Sequence, residues 1–301
     1  MKPIFDWYRE IIPEFSLFQE GLHQPLSTHL RINRLRVEPD PLINTLKQKG
    51  VCLQRATQED GTLYFAEGLD SPGNLFEYFL GYIHPQALTS CLASIALFPR
   101  ENSSVLDMCA APGGKTSHLA QLMNNTGLII ANEPYVRRHV SLGHTLARLG
   151  VLNAVITSYQ AQEFPLNQGF DFVLADVPCS GEGRFRNSNG SYAHTETREK
   201  SKLPELQKKI ILRGFDLLKK HGEMLYATCT YNPEENEAVV DYLLRNRVAA
   251  LLPINVGLDY EPGILQWRDK KYDEQQQMAA RFYPHLNNSV GFFMAKIGRG
   301  R

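Results

Sequence analysis

The sequence predicts an α/β fold: a mainly parallel sheet flanked by helices, preceded by a small α+β part. Three observations carry that reading. From Val105 onward, apolar runs of strand length alternate with helix-length patterns, as a parallel sheet with right-handed crossovers requires. The stretch VLDMCAAPGGKT, Val105 to Thr116, passes from an apolar run through a proline and two glycines into a helical pattern, which reads as strand, tight turn and helix start. Ahead of it lies a βαββ-like order of short elements.

At the start of the chain, Phe5, Tyr8, Ile11, Ile12 and Phe15 share one helix face with Pro13 interrupting, so short helices are expected. His29 to Val37 then alternates, Leu30, Ile32 and Leu35 against Arg31, Asn33, Arg34 and Arg36, which predicts a strand with a basic exposed face. Asp40-Pro41, Leu42, Ile43, Leu46 and Gly50 supply the cap, first-turn proline and terminal glycine of a short helix. Strands are expected at Val51 to Arg55 and Thr62 to Ala66, and a helix at Pro85 to Phe98.

In the main part, strands are predicted at Gly127 to Asn132, Ala154 to Thr157, Phe170 to Ala175 and Glu223 to Ala227. Helices are predicted at Tyr135 to Leu149, about Leu203 to Lys220, and Pro233 to Arg245. Val290 to Ile297 reads as an antiparallel strand closing the sheet, and residues 254–277 give no clear pattern. The domains expected are 1–81 and 82–301.

A chain of 301 residues with 43% apolar content suits one large α/β domain with an appendage. No long charge-free apolar run predicts a membrane span, and the first residues lack the apolar core of a secretory signal, so a cytoplasmic location is expected. Five cysteines, without short repeated spacing, argue against a disulfide framework and against a zinc site; no metal is expected. Cys52 and Cys91, in apolar contexts, read as small core residues. Basic and acidic residues balance at 32 each, so a nucleic-acid surface has to show in the distribution of charge.

A glycine-rich turn entering a helix lets backbone N–H groups approach a ligand closely. Two more cysteine-bearing stretches follow strands of their own: DVPCSGEG, Asp176 to Gly183, and TCTYNPEENE, Thr228 to Glu237. Ligands of open α/β sheets bind outside the carboxyl ends of the strands, so the three loops are expected to converge on one crevice.

These residues carry a resemblance. CAAPGGKT, DVPCSGEG and ATCTYNPEENEAVV resemble the signature motifs of the Sun (Nop/Sun) family of RNA cytosine-5 methyltransferases. LRINRLRV, Arg148-Leu149-Gly150, RFYPH and GFFMAKI extend it over most of the chain. The resemblance implies a Rossmann-like class I methyltransferase fold, S-adenosyl-L-methionine as methyl donor and RNA as substrate.

Carbon-5 of cytosine is a poor nucleophile until something adds to carbon-6, and a cysteine thiolate can add there. The resemblance implies that Cys229 is this nucleophile, that Cys179 assists release of the methylated product, that Asp176 holds the base and that Lys115 organises Asp176. The Asn232-Pro233-Glu234-Glu235 helix start after Cys229 is expected to favour its thiolate. DNA cytosine methyltransferases attack from a Pro-Cys cysteine, so Cys179 as nucleophile is the rival, and the Thr228-Cys229-Thr230 motif decides for Cys229. For the cofactor, the loop Cys109, Ala110, Ala111, Pro112, Gly113, Gly114 and Lys115 is expected to wrap the methionine and ribose side. Glu133, after the second strand, is placed to accept from ribose hydroxyls. Arg138 matches a family arginine, and Gln160 stands near the adenine where the family usually has aspartate.

Between Arg184 and Lys220, ten basic residues (Arg184, Arg186, Arg198, Lys200, Lys202, Lys208, Lys209, Arg213, Lys219, Lys220) face four acidic ones (Glu196, Glu199, Glu205, Asp216). A positive rim beside the Cys179 loop would suit phosphates with the base flipped inward; a solvated helix face is the alternative and accounts for Lys219 and Lys220. The arginines of LRINRLRV are a second candidate RNA contact, with a solvated strand equally open. Ribosomal RNA is the preferred substrate, since little chain follows the last strand for the extra RNA-binding domain that some members carry. Transfer RNA, or an inactive RNA-binding scaffold, remain alternatives, and a monomer is expected.

Overall fold

The computed structural model describes residues 4–57, 59, 61–167, 169–185 and 202–300. After a single 3₁₀ turn, Asp6–Tyr8, come α1 (Phe15–His23), β1 (His29–Ile32), α2 (Pro39–Gln48), β2 (Cys52–Arg55), β3 (Leu63–Glu67), α3 (Phe76–Phe79) and β4 (Ile83–Pro85). The four strands form an antiparallel sheet in the order β2-β3-β1-β4. Leu30, Ile32, Leu42, Leu46, Val51 and Tyr64 form the core between this sheet and α2.

The second part runs α4 (Leu88–Leu97), β5 (Ser104–Asp107), α5 (Gly114–Leu122), β6 (Leu128–Asn132), α6 (Val136–Leu149), β7 (Ala154–Thr157), β8 (Phe170–Asp176), α7 (Leu203–Asp216), β9 (Leu218–Thr228) and α8 (Glu237–Asn246). It ends with β10 (Ala249–Leu252), β11 (Glu261–Pro262), β12 (Gln266–Trp267), β13 (Lys270–Lys271), β14 (Ala280–Phe282), α9 (Pro284–Asn287) and β15 (Phe292–Arg299). The large sheet has the order β11-β14-β15-β9-β8-β5-β6-β7, with β10 added on β15. Strands β5 to β9 are mutually parallel, and β15 pairs antiparallel with β9 through Phe293–Thr228 to Gly298–Glu223. The α/β class, the parallel centre and the antiparallel closing strand are those the sequence predicts.

Each face of the sheet has its own core. Leu92, Val105, Leu119, Ile129, Leu225 and Phe282 are among the residues packed with α4 and α5 on one side. Val173, Ile211, Phe215, Tyr226, Val240 and Phe293 pack with α7 and α8 on the other. At about 1.5–3 kcal/mol for each fully buried large apolar side chain, these two layers are the main force holding the strand ends in register. A third cluster joins the N-terminal segment to residues 231–283: Phe5, Tyr8 and Phe18 pack with Tyr231, Trp267 and Tyr283.

Several expectations are corrected. The strand at His29 ends at Ile32, and all four of its residues are buried. Its polar face is not wet, because Arg31 points onto α5, donating to Gln121 at 2.5 Å and Ser117 at 2.7 Å. Alternation reveals two faces of a strand but not what covers them. Helix α2 begins at Pro39, with Glu38 in the capping position and Asp40 in the first turn. Cys52 is exposed at the sheet edge, whereas Cys91 is buried as expected. Helix α7 stops at Asp216, so Lys219 and Lys220 open β9 rather than ending a helix. Within 254–277 lie the short strands β11 to β13 and most of a 3₁₀ turn, Glu274–Met278.

Candidate active site

Strands β5, β8 and β9 are neighbours, so the loops at their carboxyl ends meet, as the sequence predicts. They enclose a cavity of about 440 Å³. Cys109, Ala111, Pro112, Lys115 and Arg138 line one part of it; Asp176, Cys179 and Cys229 line another.

The β5 loop is held by its own backbone. Ala110 N–H donates to the Asn132 carbonyl at 2.9 Å, and Gly113 N–H to that of Ala110 at 2.8 Å. Gly113 has φ +104°, and a Cβ there would press on Leu142 and Thr145 of α6, so the sharp entry into α5 at Gly114 needs glycine. Glu133 is 1% exposed; it accepts from Tyr135 N–H at 3.1 Å and pairs with Arg138 at 2.8 Å. Arg138 in turn donates to the Ala111 carbonyl at 2.7 Å. Glu133 therefore stands behind Arg138 rather than on the cavity wall. Gln160 is exposed at the start of the 3₁₀ turn Ala161–Glu163 and does not line the cavity.

A cavity of this size, with small residues on one wall and a buried acid behind a cation at the second strand end, fits a nucleoside cofactor. Asn132, which sequence reading missed, keeps that wall together. Its amide donates to the Met108 and Tyr159 carbonyls and its oxygen accepts from Thr157 and Tyr159, joining the ends of β5, β6 and β7. The signal was available: a buried asparagine ends an otherwise apolar strand, and such a group must be hydrogen-bonded.

On the other side, Lys115 Nζ lies 2.7 Å from Asp176 and donates to Ser90 Oγ at 2.6 Å. Ser90 was also missed, being one hydroxyl in a helix read only as core. Burial opposes the Lys115 charge, but Asp176, with Asp107 behind it, outweighs burial and raises the pKa. Asp107 itself is pushed up to about 6, chiefly by burial, although Thr116 donates to it at 2.7 Å.

The sulfurs of Cys179 and Cys229 are 3.3 Å apart, and Cys229 N–H points to Cys179 Sγ at 3.3 Å. The hydrogen bond between the thiols pushes them in opposite directions. Cys229 falls below an ordinary cysteine, through the bond from Cys179 and then the charges of Arg184 and Lys115, against burial and Asp176. Cys179 is held well above it by that same bond and by burial. The pair thus favours a thiolate on Cys229 and a thiol on Cys179. The helix expected to start at Asn232-Pro233 begins only at Glu237, eight residues after Cys229. Gln207 and Glu235 stitch the loops behind the cysteines. Ser180 N–H and Gln207 each donate to Glu235 at 2.9 Å, and Gln207 also donates to the Pro178 carbonyl at 2.8 Å.

Of the basic segment, Arg184 is exposed and lines the cavity near Cys229. Arg186, Glu196, Arg198, Glu199 and Lys200 lie outside the described residues. Lys208 pairs with Glu205 and Lys219 with Asp171, while Arg213 donates to the Gln162 carbonyl.

Residues 94–298 match the sequence model of a family described as 16S rRNA methyltransferase RsmB/F. A Homo sapiens protein named 28S rRNA (cytosine(4447)-C(5))-methyltransferase is 37% identical over 95% of this chain and 36% of its own length. The chain spans between about a third and a half of the first curated relatives it matches. A tRNA (cytosine(49)-C(5))-methyltransferase of Pyrococcus abyssi is 36% identical over 94% of this chain and 92% of its own. Among solved structures, a methyltransferase homolog protein from Pyrococcus horikoshii superposes with a TM-score of 0.86 at 32% identity, covering 98% of this chain and 93% of that one.

Proposed function

Because the chain belongs to the RsmB/F methyltransferase family, we propose that it is an S-adenosyl-L-methionine-dependent RNA cytosine-5 methyltransferase that makes 5-methylcytidine in ribosomal RNA. The observation that carries the reading is the pair of sulfurs 3.3 Å apart, lining one cavity with the Lys115–Asp176 pair. S-adenosyl-L-methionine supplies an electrophilic methyl group. The loop from Cys109 to Lys115, with Arg138 and Glu133 behind it, would hold that cofactor.

The chain's own residues do the rest. Cys229 thiolate adds to carbon-6 of a flipped cytosine, and the ring electrons move onto carbon-5, which takes the methyl group. Asp176 holds the base edge, and Lys115 fixes the carboxylate and keeps positive charge beside it. Loss of the carbon-5 proton to a base then returns electrons to the ring and expels Cys229, while Cys179, within proton-transfer distance, serves the departing sulfur. Arg184 offers charge to the entering phosphate, whereas in the N-terminal part, residues 1–81, Arg36 donates to the Ala147 carbonyl and Arg34 lies beside Glu101 and Asn124, at the other end of the main-sheet strands. We propose further that it works in the cytoplasm as a monomer.

A second reading, the same chemistry on transfer RNA, is favoured by the likeness to the Pyrococcus abyssi protein over nearly the whole of both chains. Bisulfite sequencing of total RNA with and without the gene decides: a cytosine protected only when the gene is present identifies molecule and position. No gene-dependent site in any RNA would overturn the enzyme reading.

A further inference from the structure

Glu182 is 1% exposed and takes no part in the chemistry above, yet it lies between the two cysteine loops. Thr230, directly after Cys229, donates its hydroxyl to Glu182 at 2.9 Å. Ser180, directly after Cys179, shares a 2.7 Å hydrogen bond with the same Thr230 hydroxyl. Tyr8, 3% exposed and 174 residues away in the chain, points its hydroxyl at both oxygens of the carboxylate, 3.2 Å from Oε1 and 3.1 Å from Oε2, the oxygen that Thr230 also meets. The residues following the two cysteines are therefore tied to each other and, through one carboxylate, to the N-terminal segment.

The backbone around Glu182 repeats the tie. Gly183 N–H donates to the Cys229 carbonyl at 2.9 Å, and Gly291 N–H to the Gly183 carbonyl at 2.8 Å. A Cβ on Gly183 would collide with the Gly291 carbonyl, so the loop is seated flush against the strand entry. Tyr8 is fixed in turn by ring contacts with Phe5 and Trp267. Burial, with the nearby Glu235 charge, lifts Glu182 to about 7, against hydrogen bonds from Thr230 and Tyr8, so the carboxylate is expensive to keep there.

We propose that Glu182, clamped by Tyr8, is a positioning residue that holds the Cys179 and Cys229 sulfurs at hydrogen-bonding distance, so that the first residues of the chain lock the catalytic pair. The proposal rests on the methyltransferase reading for its meaning, but its readout does not. The pH dependence of Cys229 alkylation by iodoacetamide, followed peptide by peptide by mass spectrometry, reports whether the thiol of Cys179 still stabilises the thiolate. The groups acting on Cys229 besides Cys179 are Asp176, Arg184 and Lys115, all of which the variants leave in place.

In Glu182→Ala the alkylation midpoint of Cys229 is expected to rise toward an ordinary cysteine, and kcat to fall about tenfold or more, as for a small misplacement of reacting groups. KM for S-adenosyl-L-methionine should stay as in the wild type. Glu182→Gln keeps an acceptor for Thr230 and Tyr8 and should restore most of both quantities; if it behaves like alanine, hydrogen-bonded positioning is wrong. Folded Glu182→Ala with wild-type midpoint and kcat overturns the proposal. Should that variant not fold, Tyr8→Phe, which keeps the ring packing, decides by the same two measurements. A wild-type protein that shows the low Cys229 midpoint but methylates no RNA would sink the functional reading and leave the clamp standing.

Discussion

The wall of the cavity that follows β5 and the wall that follows β8 and β9 are built by different means. The first is local: a glycine-bearing turn, a helix start, and Asn132 and Glu133 at the end of the adjoining strand. Apart from the Lys115–Asp176 pair, its side-chain bonds link residues close in the chain, as from Arg138 to Ala111 and from Asn132 to Tyr159. The second wall is assembled from distant parts of the chain. Glu182 is met by Tyr8, Glu235 by Ser180, and Glu237 by Arg281 in a fully buried bidentate pair at 2.6 Å. A wall that only binds needs a shaped surface; a wall that must keep two thiols in unlike protonation states needs its dipoles fixed from several sides.

The sharpest way to break the comparison is to remove a sulfur. Cys229→Ala is expected to abolish methyl transfer while leaving cofactor affinity nearly intact, because the two walls share only Lys115 and Asp176. Calorimetric titration with S-adenosyl-L-methionine beside the activity assay checks both halves. Cys179→Ala should still add to the base but release it slowly, so a protein–RNA species surviving a denaturing gel should accumulate, and vanish again in the double variant. The swapped assignment forecasts the reverse: adduct in Cys229→Ala and none in Cys179→Ala. The depressed Cys229 thiol and raised Cys179 thiol favour the first outcome.

The same contrast explains what could be read in the sequence. Every predicted strand of the main sheet is found, and eight of the predicted site residues line one cavity, because motif, turn and strand end are consecutive in the chain. What was missed depends on contacts between residues far apart. Nothing near Arg31 says that its strand face is covered by α5, and nothing near Glu182 announces Tyr8. The start of α8 was placed four residues early because Asn232-Pro233-Glu234-Glu235 has the composition of a helix N-terminus. In the fold these residues instead make a turn, Glu235 N–H donating to the Asn232 carbonyl at 3.0 Å, that frees the Glu235 carboxylate for Ser180 and Gln207. Tertiary hydrogen bonding has overridden local propensity there.

On the local wall a single change should cost less. Glu133→Ala removes the buried partner of Arg138, whose other anchor is the Ala111 carbonyl. Cofactor affinity is expected to weaken by ~1–3 kcal/mol, the usual cost of leaving such a partner unpaired. Adduct formation in the Cys179→Ala background should persist at saturating RNA and cofactor, since the change weakens cofactor binding and leaves Cys229 in place. An unchanged dissociation constant for the cofactor would show that Glu133 does not support that wall through Arg138.

The smallest effect is expected where neither wall is touched. Lys219 opens β9, whereas Cys229 follows its last residue, so the two stand at opposite ends of the sheet. Its ammonium lies 2.9 Å from Asp171, with the side chains 48% and 38% exposed. Such a pair is worth only about 0.2–1 kcal/mol. Asp171 also keeps the Ser104 backbone N–H at 2.8 Å and hydroxyl at 2.7 Å in a Lys219→Ala variant. Burial acts to raise the Asp171 carboxyl, but hydrogen bonds from Ser104 and Lys219 outweigh it and hold its pKa below the ordinary aspartate value. A carboxylate depressed in the folded state stabilises fully above its unfolded pKa and loses that contribution as pH falls through the folded one. Denaturant melts of wild type and Lys219→Ala should therefore differ slightly at neutral pH and converge on acidification. RNA affinity should not change, although Lys219 belongs by sequence to the basic run that starts at Arg184. Weakened RNA binding with a smaller salt dependence in Lys219→Ala would carry the RNA surface round to the far end of the sheet. The cysteine wall would then be one part of a longer track rather than its end.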